Sequence, residues 1–264
     1  MLIYLPPSEG KTPPGSDDAA GAPVAPQEML LPQLAERREQ VIDALIQTSQ
    51  APDAKQVLRV GATVTEEVRA NLDLRHAPTA PAQQLYSGVL FDALDPQGLD
   101  TSAQARADES VLIFSGLFGV TGFSDRLPAH RLSMGVTLRP FGDDRDPGPL
   151  GSFWRRAMSE PLDDHVGDEL VLDCRSSSYA AAHRPPSEQT VAVNSFTEAD
   201  GARKVVTHFA KRARGELVGM LLRAEARAQS IDDVAEIAAE RWEVEVRPAE
   251  GRRPHQLDLI SAGE

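Results

Sequence analysis

Leu2-Ile3-Tyr4-Leu5 is an unbroken apolar run halted by Pro6-Pro7. This predicts a core strand, because two prolines cannot continue a ladder. Short apolar runs at Val111–Phe114, Glu169–Cys174, Thr190–Val193, Lys204–Phe209 and Trp242–Val246 predict further strands. A different rhythm fills the gaps. From Pro32 to Thr48 the apolar positions Leu34, Val41, Leu45 and Ile46 recur at helical spacing, as an amphipathic helix requires. Helical pieces are also expected at 54–60, 63–72, 84–95 and 152–166, and the stretch 101–109 leads into the strand at Val111. Another helix begins at the capping pattern Ser230…Asp233 and runs to about Arg241. Strands interleaved with helices predict an α/β fold with a mixed sheet and flanking helices. The expected organisation is a single unit over 1–264, with a helical lobe at 30–100, a flexible loop at 12–26 rich in Pro, Gly, Asp and Ala, and a tail at 248–264.

Composition narrows the class. Hydrophobic residues make up 41% and charged residues 25% of the chain, ordinary values for a globular protein. No apolar run approaches the roughly 20 residues a membrane span needs, and the N-terminus lacks the basic leader of a signal peptide. No membrane partner and a cytoplasmic location are therefore expected. Cys174 is the sole cysteine, so no internal disulfide can form. The formal net charge of −13 disfavours generalised attraction to nucleic-acid phosphate. Against that background, residues 203–228 hold seven Lys/Arg and two Glu. A strand running into a helix that carries Lys211, Arg212 and Arg214 makes a seat for an anion.

Candidate chemistry sits where strands end. Ser8 and Lys11 follow the first strand, Ser115 and Gly116 the second, Arg175, Ser176 and Ser177 the third, and Asn194 with Ser195 the fourth. In open α/β sheets, ligands bind beyond the carboxyl ends of the strands. If these ends converge, Ser8, Lys11, Ser115, Gly116, Arg175, Ser176, Ser177, Lys211, Arg212 and Arg214 would line a cleft for phosphate or carboxylate. For each strand end the plainer alternative is a helix cap or turn. The six histidines are scattered, with no two at ligand spacing, so neither a metal nor a cofactor is expected. Asp143/Asp144 and Asp163/Asp164 read as solvated loop residues, Cys174 as a buried inert thiol, and Glu9 with Lys11 as either an acid/base pair or a surface ion pair.

Six blocks carry a resemblance: "MLIYLPPSEGKT", "LYSGVLFDAL", "IFSGLFGVTGFSDRLPAHRLSMG", "FW" at 153–154, "CRSSSY" and "THFAKRARGELVGMLL". In this order and spacing they make the chain similar to the YaaA family of bacterial proteins. That resemblance implies protection against hydrogen peroxide by keeping unincorporated intracellular iron low. It also implies binding to double-stranded DNA, and an unusual α/β fold containing a helix-hairpin-helix element. The element would fall on "AKQVLRVGATVTEEVRANLDL", where Lys55, Arg59, Gly61 and Arg69 would face DNA. Contact of this kind, through backbone N–H groups and phosphate, is independent of base sequence. Gly61 stands there without a second glycine two residues on, and Glu66 and Glu67 offset the cations.

Two functional readings follow. In one, the protein binds duplex DNA in the oxidative stress response. In the other, it is an enzyme that takes a phosphorylated small molecule or nucleotide into the strand-end cleft, with Lys11, Arg175, Lys211 and Arg214 stabilising negative charge and Glu9 moving a proton.

Overall fold

The computed structural model describes residues 1–14, 23–199, 202–204 and 207–262. Strand β1 (Leu2–Leu5) opens the chain, and all four of its residues are buried. Five helices follow: α1 (Ala35–Gln50), α2 (Ala54–Val57) and α3 (Glu66–Ala70), then, after the short β2 (Thr79–Pro81), α4 (Ala82–Leu85) and α5 (Val89–Leu94). Helix α6 (Thr101–Ser110) leads directly into β3 (Val111–Ser115) and the hairpin partner β4 (Gly119–Gly122). The small strands β5 (Arg126–Pro128), β6 (Thr137–Leu138) and β7 (Gly148–Pro149) precede the long α7 (Leu150–Val166). Then come β8 (Val171–Asp173), α8 (Ser177–Ala180), β9 (Thr190–Ala199), β10 (Ala202–Lys204), α9 (Thr207–Arg223), α10 (Ile231–Ala239), β11 (Glu243–Arg247) and β12 (His255–Ala262).

The main sheet has the order β11-β12-β9-β8-β1-β3-β4, with β10 paired to the far end of β9. Strands β12, β9, β8, β1 and β3 are mutually parallel, whereas β11, β4 and β10 are antiparallel to their neighbours. The sheet is therefore mixed, with helices packed around it. Continuous burial of β1 and β3 follows from this placement, since a parallel strand covered on both faces has no solvent side to make polar. The buried residues of α7 (Leu150, Phe153, Trp154, Met158, Leu162 and Val166) follow helical spacing and so form one face of the helix.

The topology sets up the site. From β1 the chain crosses to β3 on one side, and it later returns to build β8, β9 and β12 on the other. The strand order thus reverses beside β1. At such a switch point the loops leaving adjacent strands turn in opposite directions and leave a crevice at the carboxyl edge.

Several expected boundaries differ from those observed. The run Lys204–Phe209 is not one strand: β10 ends at Lys204 and Thr207–Phe209 already belong to α9. Residues 205–206 of that run lie outside the described residues. The stretch 84–95 is two helices, because Gly88 adopts φ +105° between them. Strand β9 continues through Asn194 and Ser195 to Ala199, so those two residues are not a strand end. Residues 255–262 are no tail. They form β12, in register with β9 from His255↔Val191 to Ala262↔Glu198, with Leu257 and Leu259 fully buried. Of the loop expected at 12–26, residues 15–22 lie outside the described residues, and Pro26 is buried in a 3-10 turn.

Candidate functional site

Loops leaving β1 and β8 face each other across the switch-point crevice. A cavity of about 410 Å³ opens there, lined by Pro6 to Gly10 after β1, by Gly88 to Phe91 at the start of α5, by Ser176, Ser178 and Tyr179 after β8, and by Lys211 and Arg214 of α9. Helix α9 reaches this point because it packs closely on α5. A Cβ added at Gly215 would lie 2.1 Å from the Leu90 carbonyl oxygen, and one at Gly219 would lie 3.0 Å from that of Leu94. Only glycine permits that approach, and it sets the α9 cations against the cavity wall.

Arg214 is anchored from behind. Its Nε and one terminal nitrogen donate to the Val193 carbonyl at 3.2 and 2.8 Å, leaving its other N–H groups for the cavity. Arg214 also lines a second, larger cavity of about 590 Å³ on the β9 side, together with Arg184, Ser187, Asn194 and Arg252. The Ser176 and Ser178 hydroxyls lie 3.2 Å apart and are exposed, as is Lys211. Such an array of hydroxyls and cations suits an anion.

A small recess adjoins the first cavity through shared walls at Pro7, Ser8, Glu9, Ser133 and Tyr179. It is lined further by Lys11, Ser115, His130 and Arg131 and has room for about 10 Å³. Lys11 is held by an antiparallel bridge to Tyr86; its Nζ donates to the Ser8 carbonyl at 3.1 Å and lies 5.3 Å from the centre of the Tyr86 ring. Burial and the nearby Arg131 guanidinium push the Lys11 amine down to about 8, against the opposing pull of Glu9. His130 is held well below its ordinary value by burial and by Lys11, and its Nδ1 lies 2.9 Å from the Pro128 carbonyl. Burial raises the Tyr86 phenol. Its hydroxyl sits beside Ser115 and has no hydrogen-bond partner among the described residues.

Other expected site residues are engaged within the fold, although Arg175 and Ser177 both line the 590 Å³ cavity. Ser115 Oγ accepts from the backbone N–H groups of Leu117 and Phe118 at 3.2 and 3.3 Å, although the residue still lines the recess. Gly116 is required by crowding, since a Cβ there would meet the Leu132 carbonyl oxygen at 2.9 Å. Arg175 is buried, with Nε and a terminal nitrogen donating to the two Asp173 oxygens at 2.8 Å each and a further bond of 2.9 Å to the His183 carbonyl. Its guanidinium lies against the rings of Tyr4 and Phe114. Arg212 turns away and pairs with Glu216. Ser177 lines the larger cavity only.

Glu9 pairs with Arg131 rather than with Lys11. Asp163 and Asp164 lie in α7, not in a loop, and Asp163 Oδ1 is 2.9 Å from His183 Nε2. Cys174 is buried, which pushes its thiol up to about 12. Sequence reasoning missed His130, Arg131, Tyr86, Arg184 and Arg252. No local pattern marks them, because each reaches the site through a loop or a short helix packed there by the fold.

In the segment 54–73, α2 and α3 are single turns joined by a loop in which Arg59 takes φ +54°. Lys55 Nζ is spent inside that loop, donating to the Ala62 carbonyl and Thr65 Oγ1 at 2.7 and 2.6 Å. Arg69 pairs with Glu66. Gly61 is exposed, with open space where a Cβ would stand.

The family model described as peroxide stress protein YaaA matches residues 1–247. The chain belongs to the YaaA family. Among its YaaA-like relatives, a UPF0246 protein of Streptomyces coelicolor is 39% identical over 98% of both chains. A UPF0246 protein of Corynebacterium efficiens is 40% identical over 90% of this chain and 91% of its own. The match to the YaaA model takes in every wall of the 410 Å³ cavity. Among the described residues, no helix is long and apolar enough to cross a membrane.

Proposed function

We propose that this YaaA-family protein serves the cytoplasmic peroxide response, limiting iron-linked damage, by binding a phosphorylated small molecule or nucleotide in the switch-point cavity. One observation carries the reading: Lys211, Arg214 and the hydroxyls of Ser176 and Ser178 line one 410 Å³ hollow at the carboxyl edge of the sheet, beside Ser8, whose own hydroxyl donates to the Ser87 carbonyl. The protein is acidic overall, so this local reversal of sign selects for a compact anion rather than for a long polyanion. Group transfer or ligation on the bound molecule is the chemistry such a site serves, with Glu9 placed on its wall to move a proton.

Thermal shift against a panel of nucleotides and sugar phosphates tests this. A ligand at a hundred times its Kd adds about 2.7 kcal/mol of stability. Arg214→Ala and Lys211→Ala each remove a charge-assisted contact of about 1.5–3 kcal/mol, a loss of roughly ten- to a hundredfold in affinity. Arg212→Ala leaves affinity unchanged. A panel in which no phosphorylated compound raises Tm would sink the reading.

A second reading, duplex DNA at 54–73, is favoured by the exposed Gly61 turn, which lets phosphate approach the backbone. Lys55 and Arg69 support it less, being engaged internally. It requires duplex retention in a low-salt gel shift that falls steeply as salt rises and weakens with Arg59→Ala. No retained duplex at low salt excludes it.

A further inference from the structure

This chain uses arginine for nearly all of its positive charge. Of 27 Lys/Arg residues only four are lysines (Lys11, Lys55, Lys204 and Lys211). One of the four, Lys11, is placed where arginine could not substitute chemically. An ammonium can lose its proton and attack an electrophile, whereas a guanidinium stays charged.

The surroundings of Lys11 are those of a reacting group. Its backbone is pinned by the bridge to Tyr86 and by the Thr12 N–H bonding the Leu85 carbonyl at 2.8 Å. Its Nζ donates to the Ser8 carbonyl, so the amine is aimed rather than free. The recess holds about 10 Å³, close to what a single water occupies, so it admits a carbonyl group and little more. It opens through Ser8, Glu9, Ser133 and Tyr179 onto the 410 Å³ cavity where Lys211 and Arg214 stand. Around the amine, Tyr86 offers a buried hydroxyl with no partner among the described residues, and His130 offers a buried neutral ring. The charged groups facing it are Glu9 and Arg131, which pair with each other.

We propose that Lys11 is a covalent-catalysis amine, forming an imine with the carbonyl carbon of a phosphorylated aldehyde or ketone whose phosphate rests between Lys211 and Arg214. The neutral amine adds to the carbonyl carbon, and its proton passes to the carbonyl oxygen to give a carbinolamine. Protonation of that hydroxyl expels water, the C=N bond forms, and no oxidant or reductant is needed. The fold prepares the first step: with its titration point near 8, roughly a tenth of Lys11 is neutral at pH 7, against less than a thousandth for an ordinary lysine.

This inference rests on the phosphate-binding reading of the cavity, and one experiment separates the two. The full chain is incubated with glycolaldehyde phosphate and cyanoborohydride, which fixes an imine as a secondary amine, and the four lysines are mapped by peptide mass spectrometry. Calorimetric titration with 2-hydroxyethyl phosphate, the corresponding alcohol, reports phosphate binding alone. The expected result is label on Lys11 at least tenfold above Lys55, with the alcohol phosphate competing. Lys11→Arg should take no label above the level seen on Lys55. Alcohol phosphate that binds while Lys11 takes no more label than Lys55, or while Lys211 alone is modified, overturns the amine. Lys11 labelled without competition by the alcohol phosphate, and unchanged by Arg214→Ala, leaves a reactive amine but removes its phosphate site. Absence of both binding and labelling overturns both.

Discussion

Arg175 decides whether a cation at a strand end serves the ligand or the sheet. Its side chain is fully buried and its partner Asp173 is 14% exposed. Replacement by methionine keeps much of the volume but removes two N–H···O⁻ bonds of 2.8 Å, the 2.9 Å bond to the His183 carbonyl, and the stacking at 4.6 and 4.1 Å over Tyr4 and Phe114. Among the described residues, the Asp173 carboxylate then keeps the backbone N–H of residue 175 as its donor. Breaking a buried pair from one side costs about 3–5 kcal/mol, mostly because a charge is left without its partner. For a chain of this size, each kcal/mol moves Tm by about 2–4 °C, so a drop of roughly 10 °C is expected in Arg175→Met. Adding Asp173→Asn to that variant should recover part of the loss, giving a coupling energy above 1 kcal/mol in the double-mutant cycle. Urea denaturation followed by tryptophan fluorescence measures both. The reasoning is refuted if Arg175→Met unfolds within about 1 kcal/mol of wild type while losing tenfold or more in phosphate affinity, because the guanidinium would then be a ligand contact and not a brace.

Two further outcomes follow from packing and titration. Gly215→Ala puts a methyl group 2.1 Å from the Leu90 carbonyl oxygen, so α5 and α9 must separate; a loss of about 1–3 kcal/mol is expected, with weaker phosphate binding as Lys211 and Arg214 move, and an unchanged urea midpoint would contradict it. His130 is buried neutral, with its titration point well below 6.5 in the fold, so the unfolded chain takes up the proton first as pH falls. Its contribution is therefore intact above about pH 6.5 and shrinks by about 2 kcal/mol on reaching pH 5. The stability–pH curve of His130→Phe should be flatter by that amount, and parallel curves would rule the assignment out.

Much of the frame was legible because burial on two faces leaves a simple trace. The runs at β1 and β3 are apolar without alternation, and the rule that ligands gather beyond parallel strands pointed to Ser8, Lys11, Ser176, Lys211 and Arg214, all of which line the adjoining hollows. Strand β12 went unread although Leu257 and Leu259 alternate with Gln256 and Asp258, because Pro248, Gly251 and the charges between them look like an unstructured end. The β-branched Val205 and Val206 suggested a strand where the helix is already under way by Thr207. At the site, sequence could say which cations stand at strand ends but not how each is engaged. Arg175 and Arg212 have the same local credentials as Arg214. Only tertiary geometry shows that the first braces Asp173, the second pairs with Glu216, and the third turns toward the cavity.

The placement of β12 has an implication for where this protein can be cut. Likeness to the family model stops at residue 247, yet β12 runs from His255 to Ala262 between β11 and β9 and is the neighbour that joins them. A fragment trimmed to the span of the family model would leave β11 unmoored and bare the flank of β9 that β12 covers, a row of open backbone donors and acceptors that invites chain-to-chain stacking. The stretch that the family model leaves out is thus the one that shields β9 from pairing with another chain.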